Sequence, residues 1–326
     1  MGKVLRCRLA PSTHMMAVNG VMSVRRLIGL LTLISLFSLY VGATGYFDSA
    51  PEPGIIRSVV SAQGRGVFTD LTKTGKSFNV LILGVDSPTV KGARPDLIML
   101  GQFDPDQKNI RLISIPRDTR VKVAGVGYTK INHANVIGEA RGGEQLGTKL
   151  TSQAVSDLLG TEVNYYVKMD VQGFKQFIDG LGGLELELAQ PLKLTDYNKT
   201  LPAGKQHLNG EETLKLVQER YSLEGGDFDR QRNQFKVLKA LALKVRNPEN
   251  LSELSKTIEH LRGCVIDTNL STDEMVSLAL LLRQIQLEDI AYYQIPGRGL
   301  YEYDPLIKAR LYYWQPDMTK LRSDKV

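Results

Sequence analysis

At 326 residues, 42% apolar and 23% charged, the chain has the composition of a folded protein and room for one large domain or two ordinary ones. The formal charge of +6 belongs mostly to its start: residues 1–26 hold Lys3, Arg6, Arg8, Arg25 and Arg26 and no acid, which leaves +1 for the rest. Composition thus argues against disorder, and the charge gives the folded part no basis for binding nucleic acid.

Residues 27–45 (LIGLLTLISLFSLYVGATG) carry no charge and are long enough to span a bilayer core. Arg25-Arg26 precede the run and Asp48 and Glu52 follow it, so one transmembrane helix is predicted, with the N-terminus cytoplasmic and the remainder extracytoplasmic. A cleaved signal peptide is the competing reading; the long tail ahead of the run favours a retained anchor. Cys7 and Cys264 then fall in different compartments, so neither a disulfide nor a cysteine metal site is expected. Residues 46–75, with Pro51-Glu52-Pro53-Gly54 near their start, read as a stalk.

Three short apolar runs follow, at 79–84, 97–100 and 110–115, each bounded by Gly, Pro or Asp as strands buried on both faces are. Charge gathers at their ends: Asp86 after the first, Arg94 and Asp96 before the second, Arg117 and Asp118 after the third. Two carboxylates with two guanidinium groups can hold a divalent cation and a phosphate; the same residues can equally pair with one another and only solvate loops.

Beyond them the pattern alternates. A helix is predicted over 148–159 with Gly160 as its stop, a strand over 163–169, a helix over 171–181 and an alternating strand over 184–188. Asn209 is a natural N-cap for a helix running to Arg220. A second helix starts after Gly225-Gly226-Asp227 and places Arg230 and Gln234 on one face. Helices over 251–261 and 272–285, a strand over 290–295 and a Tyr312-Tyr313-Trp314 cluster complete the chain. The expected fold is a layered α/β/α domain over 76–318 with a central mixed sheet, followed by a short tail over 319–326.

In order, LILGVD, ARPDLIML, SIPRDT, KINHA, a GG loop, YYVKMD, FIDGLGG, HLNGEETL and GDFDRQRNQ resemble the LytR-CpsA-Psr family of membrane-anchored cell-wall enzymes. SIPRDT and the DFDR start of the later helix are the specific pieces. The resemblance implies a phosphotransferase that moves a glycan phosphate from a polyprenyl-pyrophosphate carrier to a peptidoglycan hydroxyl. It implies Asp86 and Asp96 as ligands of Mg²⁺, with Mn²⁺ as the alternative, and Arg94, Arg117, Arg220 and Arg230 as a pyrophosphate clamp with Gln234 beside them. Asp118 would orient Arg117; Lys130, Asn132 and His133 are looser candidates.

Two positions depart from the family pattern. Gln218 stands where an arginine is usual, two residues before Arg220, and Asn233-Gln234 where RQ is usual; Arg232 could compensate, although adjacent helix positions point about 100° apart. Two other functions stay open on the same residues: a polyprenyl-pyrophosphate hydrolase with water as acceptor, and a tethered module that binds lipid-linked glycan without turnover. A slot for the lipid tail is expected where the helices at 148–159 and 171–181 meet the sheet.

Overall fold

A computed structural model of the protein describes residues 76–86, 92–246 and 251–323; the expected cytoplasmic tail, membrane span and stalk lie outside them. Among the described residues no helix is long and apolar enough to cross a membrane.

The three apolar runs form a meander of β1 (Phe78–Val85), β2 (Pro95–Asp104) and β3 (Asn109–Ser114), in which Leu81 pairs with Leu100 and Leu100 with Ile113. A hairpin of β4 (Arg120–Val123) and β5 (Gly127–Lys130), helices α1 (His133–Gly142) and α2 (Glu144–Leu159), β6 (Tyr165–Asp170) and α3 (Val171–Gly180) follow. Short strands β7 (Leu184–Leu188), β8 (Leu192–Leu194), β9 (Lys199–Leu201) and β10 (Gly204–Leu208) lead into α4 (Gly210–Gln218) and α5 (Asp227–Arg246). Then come α6 (Leu251–Cys264), β11 (Val265–Thr268), α7 (Thr272–Gln284), β12 (Ile290–Gln294), the hairpin β13 (Gly297–Asp304) and β14 (Ala309–Pro316), and α8 (Met318–Ser323).

The central sheet has the order β11-β6-β1-β2-β3-β12. It is mixed: β6 lies parallel to β1 and β12 parallel to β3, while the other neighbours are antiparallel. Side chains alternate across it. Leu81, Leu83, Leu100 and Ile113 pack on one face with Ala134 and Ile137 of α1 and Val155 and Leu158 of α2. Val80, Met99 and Leu112 pack on the other, against Leu281 of α7 and Leu238 of α5. Helices on both faces explain why the strands read as unbroken apolar runs. Each such side chain contributes about 1.5–3 kcal/mol on burial, so the α/β/α sandwich is held mainly by these two layers.

Local chemistry fixes where helices begin. Asn209 caps α4 reciprocally with Glu212, Ser271 and Glu274 do the same for α7, and Asp170 caps α3 by accepting from the Gly173 amide at 2.7 Å. The Gly142-Gly143 pair is not a loop. Gly142 completes α1, and Gly143 alone, at φ 85°, turns the chain into α2. The two helices then touch through glycines: a Cβ on Gly138 would lie 2.5 Å from the Gly147 backbone. Helix α4 ends at Gln218 rather than Arg220, which frees the Arg220 backbone from helical geometry. Strands β4, β5, β13 and β14 carry no apolar run and were not expected.

Candidate active site

The antiparallel register brings the strand ends together. β1 ends beside the start of β2, with Val85 opposite Pro95, so Asp86 and Asp96 come to the same edge. β2 and β3 continue this side by side to Ile115, whose amide bonds Ile98 O at 2.9 Å, and the next turn delivers Arg117 beside Asp96. Arg117 Nη1 donates to Asp96 Oδ1 at 2.5 Å. Burial disfavours the charge on this guanidinium, yet Asp96, with Asp118 and Asp227 farther away, holds its pKa above the ordinary value.

The first turn of α5 supplies the second guanidinium. Arg230 is buried, donates from Nη2 to Asp227 Oδ1 at 2.5 Å, and lies 3.8 Å from Asp96 Oδ2. Burial pushes its pKa down, and the positive charges of Arg117 and Arg220 add to that. Arg230 Nε is buried without a hydrogen-bond partner among the described residues. Arginines that repel one another while one keeps an unused donor form a site that an anion would stabilise.

Around this pair the remaining candidates separate. Asp86, Arg94, Asp96, Arg117, Asp118, Lys130 and Asn132 line one polar recess of about 190 Å³. Arg220, Gln218, Arg230 and Gln234 line a much larger adjoining cavity together with Asp86, Asp96 and Arg117. Arg220 is half-buried over the ring of Tyr221, 4.8 Å from its centroid. Gln234 is buried and donates to Val217 O at 3.3 Å, so it fastens the end of α4 to α5. Arg232 does not replace the arginine missing at Gln218: it is exposed and donates to Asp229 at 2.9 Å.

Asp118 does not orient Arg117 directly. It accepts from Lys130 Nζ at 2.6 Å, and Asp96 holds Arg117 instead. His133 is a buried structural residue. Thr129 gives its single hydroxyl proton to Asp304 at 2.8 Å, so the 2.7 Å contact with His133 Nδ1 has the imidazole N–H as donor. Burial holds the His133 pKa below its ordinary value, which keeps the ring neutral at neutral pH.

The candidate metal ligands fit a hard cation. Asp86 and Asp96 offer carboxylate oxygens, and Asn132 Oδ1, also in the recess, is buried without a partner among the described residues. Mg²⁺ needs no more than one or two carboxylates when a phosphate completes its shell. No group of three or more His, Cys, Asp or Glu forms a metal cluster among the described residues.

Lys168 was not anticipated. It stands in the middle of β6, fully buried, and its ammonium donates to Asn135 Oδ1 at 2.7 Å and Glu139 Oε1 at 3.0 Å and pairs with Glu144. Asn135 in turn donates to Ala93 O at 2.7 Å, and Glu139 accepts from the Gly92 amide at 2.9 Å. This network pins the segment that ends in Arg94. The lysine inside the YYVKMD strand was the visible signal for it. Asp227 was also missed as a partner of Arg230, although i, i+3 spacing announces it.

These buried carboxylates make stability fall in acid. Burial raises the Glu139 pKa, but hydrogen bonds from Lys168, Asn135 and Gly92 hold it below its ordinary 4.5. Burial likewise opposes, and Tyr313, the Ile307 amide and Thr129 together outweigh it, in holding Asp304 below its ordinary 3.8. Folded pKa values that are depressed mean stability is fully present above the ordinary values and lost as the pH drops through the folded ones. The buried neutral His133 acts in the same direction, so the melting temperature is expected to begin falling below about pH 6.5 and to fall more steeply below about pH 4.5, followed by circular dichroism. A level profile down to pH 3 would contradict the assigned hydrogen bonds.

The large cavity has a volume of about 600 Å³ and, apart from its charged mouth, an apolar wall. Val80 and Ile82 of β1, Met169 of β6, Phe174 of α3 and Leu241 and Ala242 of α5 belong to it. Helix α3 takes part as expected, but α2 does not: its apolar residues Val155 and Leu158 belong to the opposite face of the sheet.

Comparison with known proteins agrees with this geometry. The family model described as the LytR_cpsA_psr family matches residues 56–325. The polyisoprenyl-teichoic acid–peptidoglycan teichoic acid transferase TagU of Bacillus cereus is 28% identical over 287 residues, 87% of each chain. The crystal structure of B. subtilis TagV superposes with a TM-score of 0.66 at 30% identity, covering 77% of this chain and 95% of that one. TagT bound to LI-WTA gives 0.61 at 25% identity, covering 79% and 94%. With a family model matched from before the sheet to the last residues, the chain belongs to the LytR_cpsA_psr family.

Proposed function

We propose that this enzyme moves a glycan phosphate from a polyprenyl-pyrophosphate carrier to a peptidoglycan hydroxyl. The acceptor oxygen bonds to the glycan-side phosphorus, the bridging P–O bond breaks, and polyprenyl phosphate leaves. One observation supports this best: mutually repelling arginines, Arg117, Arg220 and Arg230, stand where a polar recess meets an apolar cavity of about 600 Å³. A pyrophosphate with a hydrocarbon tail has that shape of chemistry. Relatives named as polyisoprenyl-teichoic acid–peptidoglycan transferases favour the same substrates.

Phosphoryl transfer needs positioning and charge neutralisation more than covalent chemistry. Arg94, Arg117, Arg220 and Arg230 would hold the pyrophosphate oxygens. Asp86, Asp96 and Asn132 would hold Mg²⁺ (or Mn²⁺), which supplies further neutralisation of the pyrophosphate. Asp96 is engaged by both Arg117 and Arg230, which leaves the exposed Asp86 as the better placed base for the acceptor proton. The enzyme would work from a single span over 27–45, with its catalytic domain outside the cell membrane.

The test is the full chain in detergent with a short-chain polyprenyl-pyrophosphate glycan, a peptidoglycan fragment and Mg²⁺, read by mass spectrometry. Prenyl monophosphate and a phosphate-linked glycan adduct, both lost with EDTA, are the expected products. Prenyl monophosphate alone would establish a hydrolase; no turnover with donor still bound would establish a binding module. Ala242→Trp, which fills the cavity, is expected to raise KM for a long-chain donor about tenfold and leave a short-chain donor nearly unchanged. Equal effects on both donors would place the lipid elsewhere.

A further inference from the structure

The outer face of the β13–β14 hairpin is built from aromatic rings beside the site. Register pairs Tyr301 with Tyr312 and Gly299 with Trp314. The tyrosine rings meet edge to face, with centroids 5.7 Å apart. Two glycines make room for the rings of β14. A Cβ on Gly299 would lie 2.8 Å from the Tyr312 ring, and one on Gly297 2.8 Å from Trp314 Nε1. The rings therefore lie over bare backbone of the neighbouring strand. Trp314 Nε1 donates to Ile295 O at 3.0 Å, which fixes the indole. Tyr313 alternates inward and is buried, while Tyr301 is 64% and Tyr312 38% exposed.

This shelf is joined to the site by main chain and by ring contact. Trp314 N donates to Asp118 O at 2.9 Å, and Thr119 bridges to Trp314. The indole packs edge-on against Phe228, centroids 4.8 Å apart, between Asp227 and Arg230 in the first turn of α5. Tyr312 stands close enough to the site that, after burial, the charges of Asp118 and Asp227 raise its hydroxyl pKa.

We propose that Tyr301 and Tyr312, backed by the partly buried Trp314, form a saccharide-binding subsite on which the glycan strand supplying the acceptor hydroxyl stacks. The assignment rests on the transfer reading above. Fixed, half-exposed rings present large apolar faces at low entropic cost, and the C–H faces of N-acetylated pyranoses are their natural complement. A bilayer is the other surface that attracts tyrosines; the main-chain bond from Trp314 to Asp118 ties the shelf to the recess instead, which favours the acceptor glycan.

Trp314 is the sole tryptophan of the chain, so its emission reports on the shelf. The full chain in detergent is titrated with soluble β-1,4-linked N-acetylhexosamine oligosaccharides, without any lipid-linked donor. A saturable change in emission is expected, weakened about tenfold or more in Tyr301→Ala/Tyr312→Ala and in the same direction, by less, in Tyr301→Ala alone. Binding of a short-chain polyprenyl-pyrophosphate glycan donor, measured without acceptor, should be unchanged in both variants. No change in the wild type, or equal affinity in the variants, overturns the proposal. Emission that shifts between micelles and phosphatidylglycerol nanodiscs but ignores saccharide marks a membrane face and overturns it too. If saccharide binds as expected while the wild type transfers nothing, the subsite stands and the transfer reading falls.

Discussion

Asp96→Asn is expected to lower the turnover of glycan transfer by about a thousandfold, with the melting temperature within a few degrees of the wild type. Among the described residues Asp96 is the one carboxylate that reaches both guanidinium groups, Arg117 at 2.5 Å and Arg230 at 3.8 Å. Neutralising it removes a proposed cation ligand and the partner that keeps Arg117 in register. It also leaves the arginines with less competing negative charge, so the ground-state hold on a pyrophosphate should be kept or strengthened. The effect therefore falls on kcat far more than on KM, a split that a merely structural role would not produce. Turnover within tenfold of the wild type would remove Asp96 from the chemistry.

Lys168→Met is expected to destabilise the domain strongly. Methionine fills the space but leaves Glu139 and Asn135 facing an apolar group in the interior. Removing one partner of a buried ionic cluster costs about 3–5 kcal/mol, and for a domain of this size that lowers the melting temperature by about 10 °C. The loss should carry a functional signature as well, because Gly92 and Ala93 hang from Glu139 and Asn135 and set the backbone leading to Arg94. Below its melting temperature the variant should show a raised donor KM. A melting temperature within two degrees of the wild type, by differential scanning calorimetry, would mean that Glu139 and Asn135 find other partners.

Much of the site was legible because strand ends are legible. Apolar runs at 79–84, 97–100 and 110–115 stop abruptly at charge, and in a sandwich such ends are where charge can be shown without burying it alone. Arg230 and Gln234 were readable as one helix face, but not as buried, since spacing is the same for a solvated face and a packed one. Lys168 sits in a strand where a charge looks like a defect; only the approach of Asn135 and Glu139 from α1 makes it a hub. The cavity wall was unreadable for a similar reason. Val80, Ile82 and Leu241 have the spacing of core residues, and whether they close on one another or leave a void is decided by helices distant in sequence. The β13–β14 hairpin hid because its tyrosines, glycines and charges show neither an apolar run nor a helical period.

The main-chain bond from Trp314 to Asp118 also governs the order in which the domain can be finished. Nearly every residue of the recess is synthesised in the first half of the chain, yet the turn carrying Arg117 and Asp118 is latched by the penultimate element. A chain still emerging from the ribosome holds its arginines and carboxylates without the strand that sets them. The turn that carries Arg117 and Asp118 therefore gains its last main-chain partner only when β14 is in place.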